Sequence, residues 1–191
     1  MGQWTILGKH LQIFQEMKLC ECFPKWNVGE PLMSDTVPPE VQELLDKQAI
    51  SELIRKFVYL SDENDWNAEF ELVTDDVIAE TPFGSAEGKD DFRETTEGIF
   101  AEFQFSRHML HNGLIEIDGG EATGKWYGEI PILTTDGEAE WILGMYEHEF
   151  RRVDREWKLS KYTFDPTYVT PYDEGWAEQP FPEEIPVEPD W

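Results

Sequence analysis

Phe105-Ser106-Arg107-His108-Met109-Leu110-His111-Asn112 marks the point at which the hydrophobic pattern of the chain changes period. Before it, apolar residues recur at helical spacing. After it come four strand-like runs, at about 105–117, 121–133, 140–153 and 157–168. They are joined by turn sequences: Asp118-Gly119-Gly120, Thr135-Asp136-Gly137 and Asp154-Arg155-Glu156. Helices followed by an antiparallel meander predict an α+β fold, not a doubly wound one. Long strands with helices on one face only are expected to curl around them. The result is a cone with a deep, largely apolar cavity between sheet and helices.

The helical half reads as three helices. Asp35 or Thr36 followed by Pro38 and Pro39 is a helix start, and Val41, Leu44 and Leu45 belong to a short first segment. A shift of face near Lys47 and Gln48 leads into a longer helix carrying Ile50, Leu53, Ile54, Phe57 and Leu60, ending near Asp62. Asp65 caps a second helix whose buried face is Trp66, Phe70 and Val73. Val77 to Thr81 is a short strand closed by Pro82 and Gly84. A third helix from about Lys89–Asp91 buries Phe92, Ile99, Phe100 and Phe103.

The formal charge of -26 on 191 residues argues against nucleic acid and anionic membrane as partners, since both would be repelled. Such a surface is also one route to solubility in high salt, so a halophilic source is one expectation. Residues 1–32 are neutral, with Lys9, Lys18 and Lys25 balancing Glu16, Glu21 and Glu30, so all of the charge lies beyond them. The predicted organisation is a loosely attached extension or an over-extended gene start at 1–32, a domain at 33–170 and an acidic, proline-rich tail at 171–191. Cys20 and Cys22 read as two free thiols in the extension. No run reaches the roughly 20 apolar residues of a membrane helix, and no signal sequence is evident. A cytoplasmic location is the expectation. Zinc-protease, Walker, dinucleotide, EF-hand and nucleophile-elbow spacings are all missing, so neither cofactor nor metal is expected.

Strand alternation places His108, Leu110 and Asn112 on one face, with Met109 and His111 on the other. That parity argues against His108 and His111 sharing a metal; a bulge at Gly113 would shift the face beyond it. His108 reads either as a general base or as a buried histidine satisfied by Asn112 or a backbone carbonyl. On the next strand Ala122, Gly124, Trp126, Gly128 and Ile130 share a face, with Trp126 either walling a cavity or packing in the core. Gly144, Tyr146, His148 and Phe150 share one on the strand after that, with His148 at a rim or pocket position.

A set of short motifs in order carries a family resemblance. They are Gln48-Ala49-Ile50-x-x-Leu53, Asp62-x-x-Asp65-Trp66, Leu72-x-x-Asp75-Asp76 and His108-x-x-x-Asn112. Further on come Ile117-Asp118-Gly119, Ala122-x-Gly124-x-Trp126 and Trp157-Lys158-Leu159. Over about Val41 to Tyr168 the chain resembles the SnoaL-like branch of the nuclear transport factor 2-like superfamily, with polyketide cyclases, scytalone dehydratase and bile-acid dehydratase as relatives. The resemblance implies a cone-shaped α+β domain and a homodimer. It also implies an Asp–His pair pointing into the cavity, which falls on Asp62 and His108. A histidine takes a proton from carbon next to a carbonyl and returns one to a leaving hydroxyl. A carboxylate on its other nitrogen fixes the tautomer.

Other family positions differ. The second catalytic histidine of the scytalone dehydratase pattern falls on Trp126, the pocket asparagine on Tyr146 and a serine on Gly144. The tyrosine before the helix-end aspartate falls on Phe57, with Tyr59 nearby. The reading is a cofactor-free lyase or isomerase acting on a hydrophobic carbonyl-bearing small molecule. Asp62 and His108 are its catalytic pair, and Tyr59, Asn112, Trp126 and Tyr146 its pocket. The alternative is a non-catalytic ligand-binding or dimerisation module.

Overall fold

The computed structural model describes residues 37–180. The extension with Cys20 and Cys22, and the tail's Phe181 and Trp191, lie outside the described residues.

The first helix, α1 (Pro39–Glu63), is one continuous element of 25 residues, not a short helix followed by a long one. Its buried stripe is Ile50, Leu53, Ile54 and Phe57, whereas Val41, Leu44 and Leu45 stay exposed. Nothing between them breaks a helix: Lys47, Gln48 and Ala49 are all good helix formers, and Lys47 pairs with Glu43 one turn back at 2.7 Å. The change of face in the sequence marks where burial begins, not where the helix restarts. Asn64 ends α1 in the left-handed conformation, its N–H reaching the Leu60 and Ser61 carbonyls. Asp65 then caps α2 (Trp66–Phe70), accepting from the Ala68 amide.

Val73 belongs not to that helix but to strand β1 (Val73–Thr81), which forms a hairpin with β2 (Gly84–Glu87). Helix α3 (Lys89–Phe100) follows, then β3 (Phe103–Ser106), β4 (Met109–Asp118), β5 (Glu121–Thr134), β6 (Ala139–Val153) and β7 (Glu156–Pro171). The sheet order is β2-β1-β7-β6-β5-β3, with β4 also on β5. The fold is α+β, with a curled sheet behind N-terminal helices. All pairs are antiparallel but one: β1, from the helical half, joins β7 in parallel.

Two local departures position the site. The first long strand is interrupted: Arg107 and His108 lie between β3 and β4, which pair separately with β5. Beyond the break, β4 carries a bulge. His111 opposes Tyr127 and Leu114 opposes Lys125, so Asn112 and Gly113 together face Trp126. The extra residue re-phases the strand, turning Ile115 and Ile117 towards the core. Gly113 is required because a Cβ there would strike the Trp126 indole.

The inner faces of β5 and β6 follow the alternation in the sequence: Ala122, Trp126 and Ile130, then Tyr146, His148 and Phe150, are all buried. The near part of the tail packs on the sheet. Tyr172 stacks on Trp141, Trp176 stacks on Tyr168 at 5.0 Å, and the Val169 amide donates to the Pro180 carbonyl.

Candidate active site

The last turn of α1 brings Ser61 and Asp62 to the break between β3 and β4. There the His108 Nδ1 stands 2.7 Å from Asp62 Oδ1, and the His108 backbone N–H donates to Oδ2 at 3.0 Å. Ser106 Oγ adds a longer contact to Oδ1 at 3.4 Å, while the Arg107 guanidinium donates to the Asp62 carbonyl. Both side chains are nearly buried, at 9% exposure for Asp62 and 11% for His108, so the pair is shielded from bulk water. A carboxylate accepts, so Nδ1 carries the hydrogen, and in the neutral ring the lone pair is therefore on Nε2. Phe100 stacks beside the ring, with centroids 5.9 Å apart, and fixes its plane.

The break in the strand has a purpose here. A residue within a ladder commits its amide to the neighbouring strand, whereas the His108 amide is free to bind Asp62. The same carboxylate therefore holds the residue by backbone and by ring.

His108 lines a cavity of about 330 Å³ between the sheet and the helices. That volume suits a small ligand. Its walls are mostly apolar, with Val58, Phe92, Phe103, Ile130 and Ile142 among them, and Ser61, Glu69, Tyr146 and Tyr162 supply polar groups. Asp62 stands behind His108. Burial raises the Tyr146 and Tyr162 hydroxyls above the ordinary phenol range, so both are neutral hydrogen-bonding groups.

Three expected pocket residues stand elsewhere. Tyr59 is 68% exposed, because two residues along a helix is roughly 200° of rotation from Phe57, which faces the core. Asn112 is exposed on the β4 bulge with φ 53°, turned out by the extra residue. Trp126 is core: its ring lies over Gly113 and Gly124, meets Phe150 edge-on, and does not reach the cavity. Tyr146 lines the cavity. His111 is exposed beside Glu129, as strand parity predicts. Among the described residues no group of three His, Cys, Asp or Glu side chains is placed to hold a metal ion, and no helix is long and apolar enough to cross a membrane.

A SnoaL-like domain model matches residues 42–163. The chain belongs to the SnoaL-like domain family. Solved structures agree on the fold. A scytalone dehydratase-like protein from Novosphingobium aromaticivorans superposes with a TM-score of 0.65 at 24% identity, covering 70% of this chain and 91% of that one. The hexachlorocyclohexane dehydrochlorinase LinA-type3 from Novosphingobium barchaimii gives 0.65 at 18%, covering 69% and 93%. A protein of cystatin-like fold from Nostoc punctiforme gives 0.53 at 21%, covering 64% and 91%.

One titratable group inside this SnoaL-like domain, Glu69, went unread in the sequence, and a second, His148, stands away from the rim or pocket position expected of it. Glu69 is fully buried, and burial pushes its carboxyl up to about 8, helped by the Asp62 charge and opposed by a hydrogen bond with Ser61. It was readable: Trp66, Glu69, Phe70 and Val73 share the 3.6-residue stripe, which makes Glu69 an acid on an apolar face. His148 lies in the core, neither at a rim nor among the cavity-lining residues. It is surrounded by the rings of Trp126, Tyr146, Phe150 and Tyr162, and its Nδ1 has no hydrogen-bond partner among the described residues.

Burial pulls His148 down to about 3 from its ordinary 6.5. The unfolded chain therefore takes up that proton first, and stability is lost as pH falls from about 6.5 towards 3. His148→Phe has no proton to take up. Its melting temperature is expected to fall less than that of the wild type between about pH 7 and about pH 4. An identical acid-side slope in thermal melts would show that another group controls it.

Proposed function

We propose that the cavity is the active site of a cofactor-free lyase or isomerase acting on a hydrophobic, carbonyl-bearing small molecule. The observation that carries this reading is the pairing of His108 with Asp62 at 2.7 Å, with the ring set in the wall of an apolar cavity. In it, Nε2 removes the acidic proton on the carbon next to the substrate carbonyl, and Asp62 stabilises the imidazolium that forms. Asp62 is a positioning residue, while His108 touches the reacting atoms. Tyr146 and Tyr162 line the same cavity, and in this reading their hydroxyls hydrogen-bond a ligand oxygen. The names of two structural neighbours, a dehydratase and a dehydrochlorinase, both denote elimination reactions, which supports the same class here.

The probe for this reading is the aldol of benzaldehyde and acetone, a small β-hydroxy aryl ketone. The expected result is deuterium exchange at its α-carbon in heavy water, followed by water loss to benzalacetone, seen as conjugated-enone absorbance. Saturable binding with neither exchange nor elimination would favour a ligand-binding module.

A further inference from the structure

The proton-transfer site described above has a base but has lost the second histidine of the related enzymes to a buried tryptophan. An elimination also needs an acid for the leaving oxygen. Glu69 is set in the wall of the same cavity, on α2, directly across from the last turn of α1. Among the described residues, the one hydrogen-bond partner of its carboxyl is Ser61, the residue immediately before Asp62. Its second oxygen, Oε2, is buried with no hydrogen-bond partner among the described residues. A carboxyl so placed is held at one oxygen and free at the other.

The hydrogen-bond pattern allows the protonated form. Ser61 Oγ lies 2.9 Å from Glu69 Oε1 and 3.1 Å from the Phe57 carbonyl, but the hydroxyl has one hydrogen. When it donates to the Phe57 carbonyl, which can only accept, the bond to Oε1 needs a hydrogen from Glu69. When Glu69 carries its proton on Oε2, Ser61 turns and donates to Oε1. The direction of the Ser61 hydroxyl thus selects which Glu69 oxygen carries the acidic proton, Oε1 on the helix side or the free Oε2.

We propose that Glu69 is the general acid that completes the His108 site, and that the substrate class is a neutral β-hydroxy ketone or aldehyde. This rests on the reading of His108 as the base. His108 Nε2 takes the α-proton, the C–H electron pair becomes the carbon–carbon double bond, and the carbon–oxygen bond breaks. The leaving hydroxyl takes the Glu69 proton and departs as water. The site ends with His108 protonated and Glu69 ionised, and one proton passed from the imidazolium to Glu69 through solvent restores it. An acid that stays protonated up to about pH 8 is matched to this work at neutral pH.

The test follows α-proton exchange and water loss on the same aldol, each against pH. Wild-type water loss is expected to decline above about pH 8, where Glu69 ionises. In Glu69→Gln, the ratio of water loss to exchange falls about a hundredfold and the alkaline decline disappears. Ser61→Ala removes the bond that holds the acid down, so its alkaline decline moves to higher pH. An unchanged ratio and decline in Glu69→Gln would overturn the assignment while leaving His108 in place. Should Glu69→Gln not fold, a decline unmoved in Ser61→Ala overturns it equally. If the wild type neither exchanges nor eliminates, the reading of His108 as base fails, and the acid with it.

Discussion

His108→Gln abolishes turnover of the aldol probe, with exchange and water loss both falling by about 10²–10⁴-fold, while the melting temperature stays within a few degrees. Glutamine retains an amide N–H that can reach Asp62 but offers no nitrogen lone pair to take a proton. The fold loses little, because the ring is attached to the edge of the core through Phe100 and Asp62 and is not enclosed by it. Asp62→Asn is the companion variant. Its amide cannot accept from both the His108 ring N–H and the His108 backbone N–H, so the ring loses its orientation and turnover falls as well. Retention of turnover in His108→Gln would remove the proposed function. Collapse of the melting temperature would make His108 a structural residue.

Gly144→Ala is expected to be among the most damaging single-methyl changes in the sheet. A Cβ there falls well inside 3.0 Å of the Asp165 carbonyl oxygen and of the Phe164 ring. The ring has little room to move, since it packs on Tyr146 at 4.5 Å, and the carbonyl belongs to the backbone of β7. The methyl fits only if β6 and β7 separate at the register shift they already share between Leu143 and Gly144. Overpacking of this kind costs about 3 kcal/mol, which for a domain of this size is roughly 6–12 °C of melting temperature.

Gly98→Ala is the internal contrast. It lies in α3 with nothing within 4 Å of a new Cβ, so the same substitution stabilises by about 0.5–1 kcal/mol through helix propensity. The experiment is a pair of thermal melts. Equal shifts in the two variants would contradict the steric account.

The α+β order was legible because helices and strands have different hydrophobic periods, and the lasting change falls in the Phe105–Asn112 stretch. Inner-face residues of β5 and β6 were legible for the same reason. The β1–β7 parallel pair was not, since alternation within a strand carries no record of its partner's direction. Asn112 was misplaced by one inserted residue. The apolar phase does change there, from Leu110 to Ile115 and Ile117, and Gly113 marks where. Tyr59 was misplaced by reading proximity in sequence as proximity on a helix. Asp62 and His108 were found through resemblance, as no spacing links residues 46 apart. Glu69 was hidden by composition: among 41 acidic residues, one more glutamate draws no notice until its helical face is drawn.

The contrast between a heavily anionic exterior and this interior has a consequence for what can arrive. The chain carries a formal -26, yet inside the domain Glu69 is protonated at neutral pH and His148 is not. An anionic molecule approaching the entrance would be repelled at long range, then stripped of water among aromatic walls that hold no Lys or Arg among the described residues. A neutral molecule meets neither obstacle. The fold thus sorts its visitors by charge before shape is ever compared, and salt, by screening the outer field, would relax the first of these two barriers while leaving the second intact.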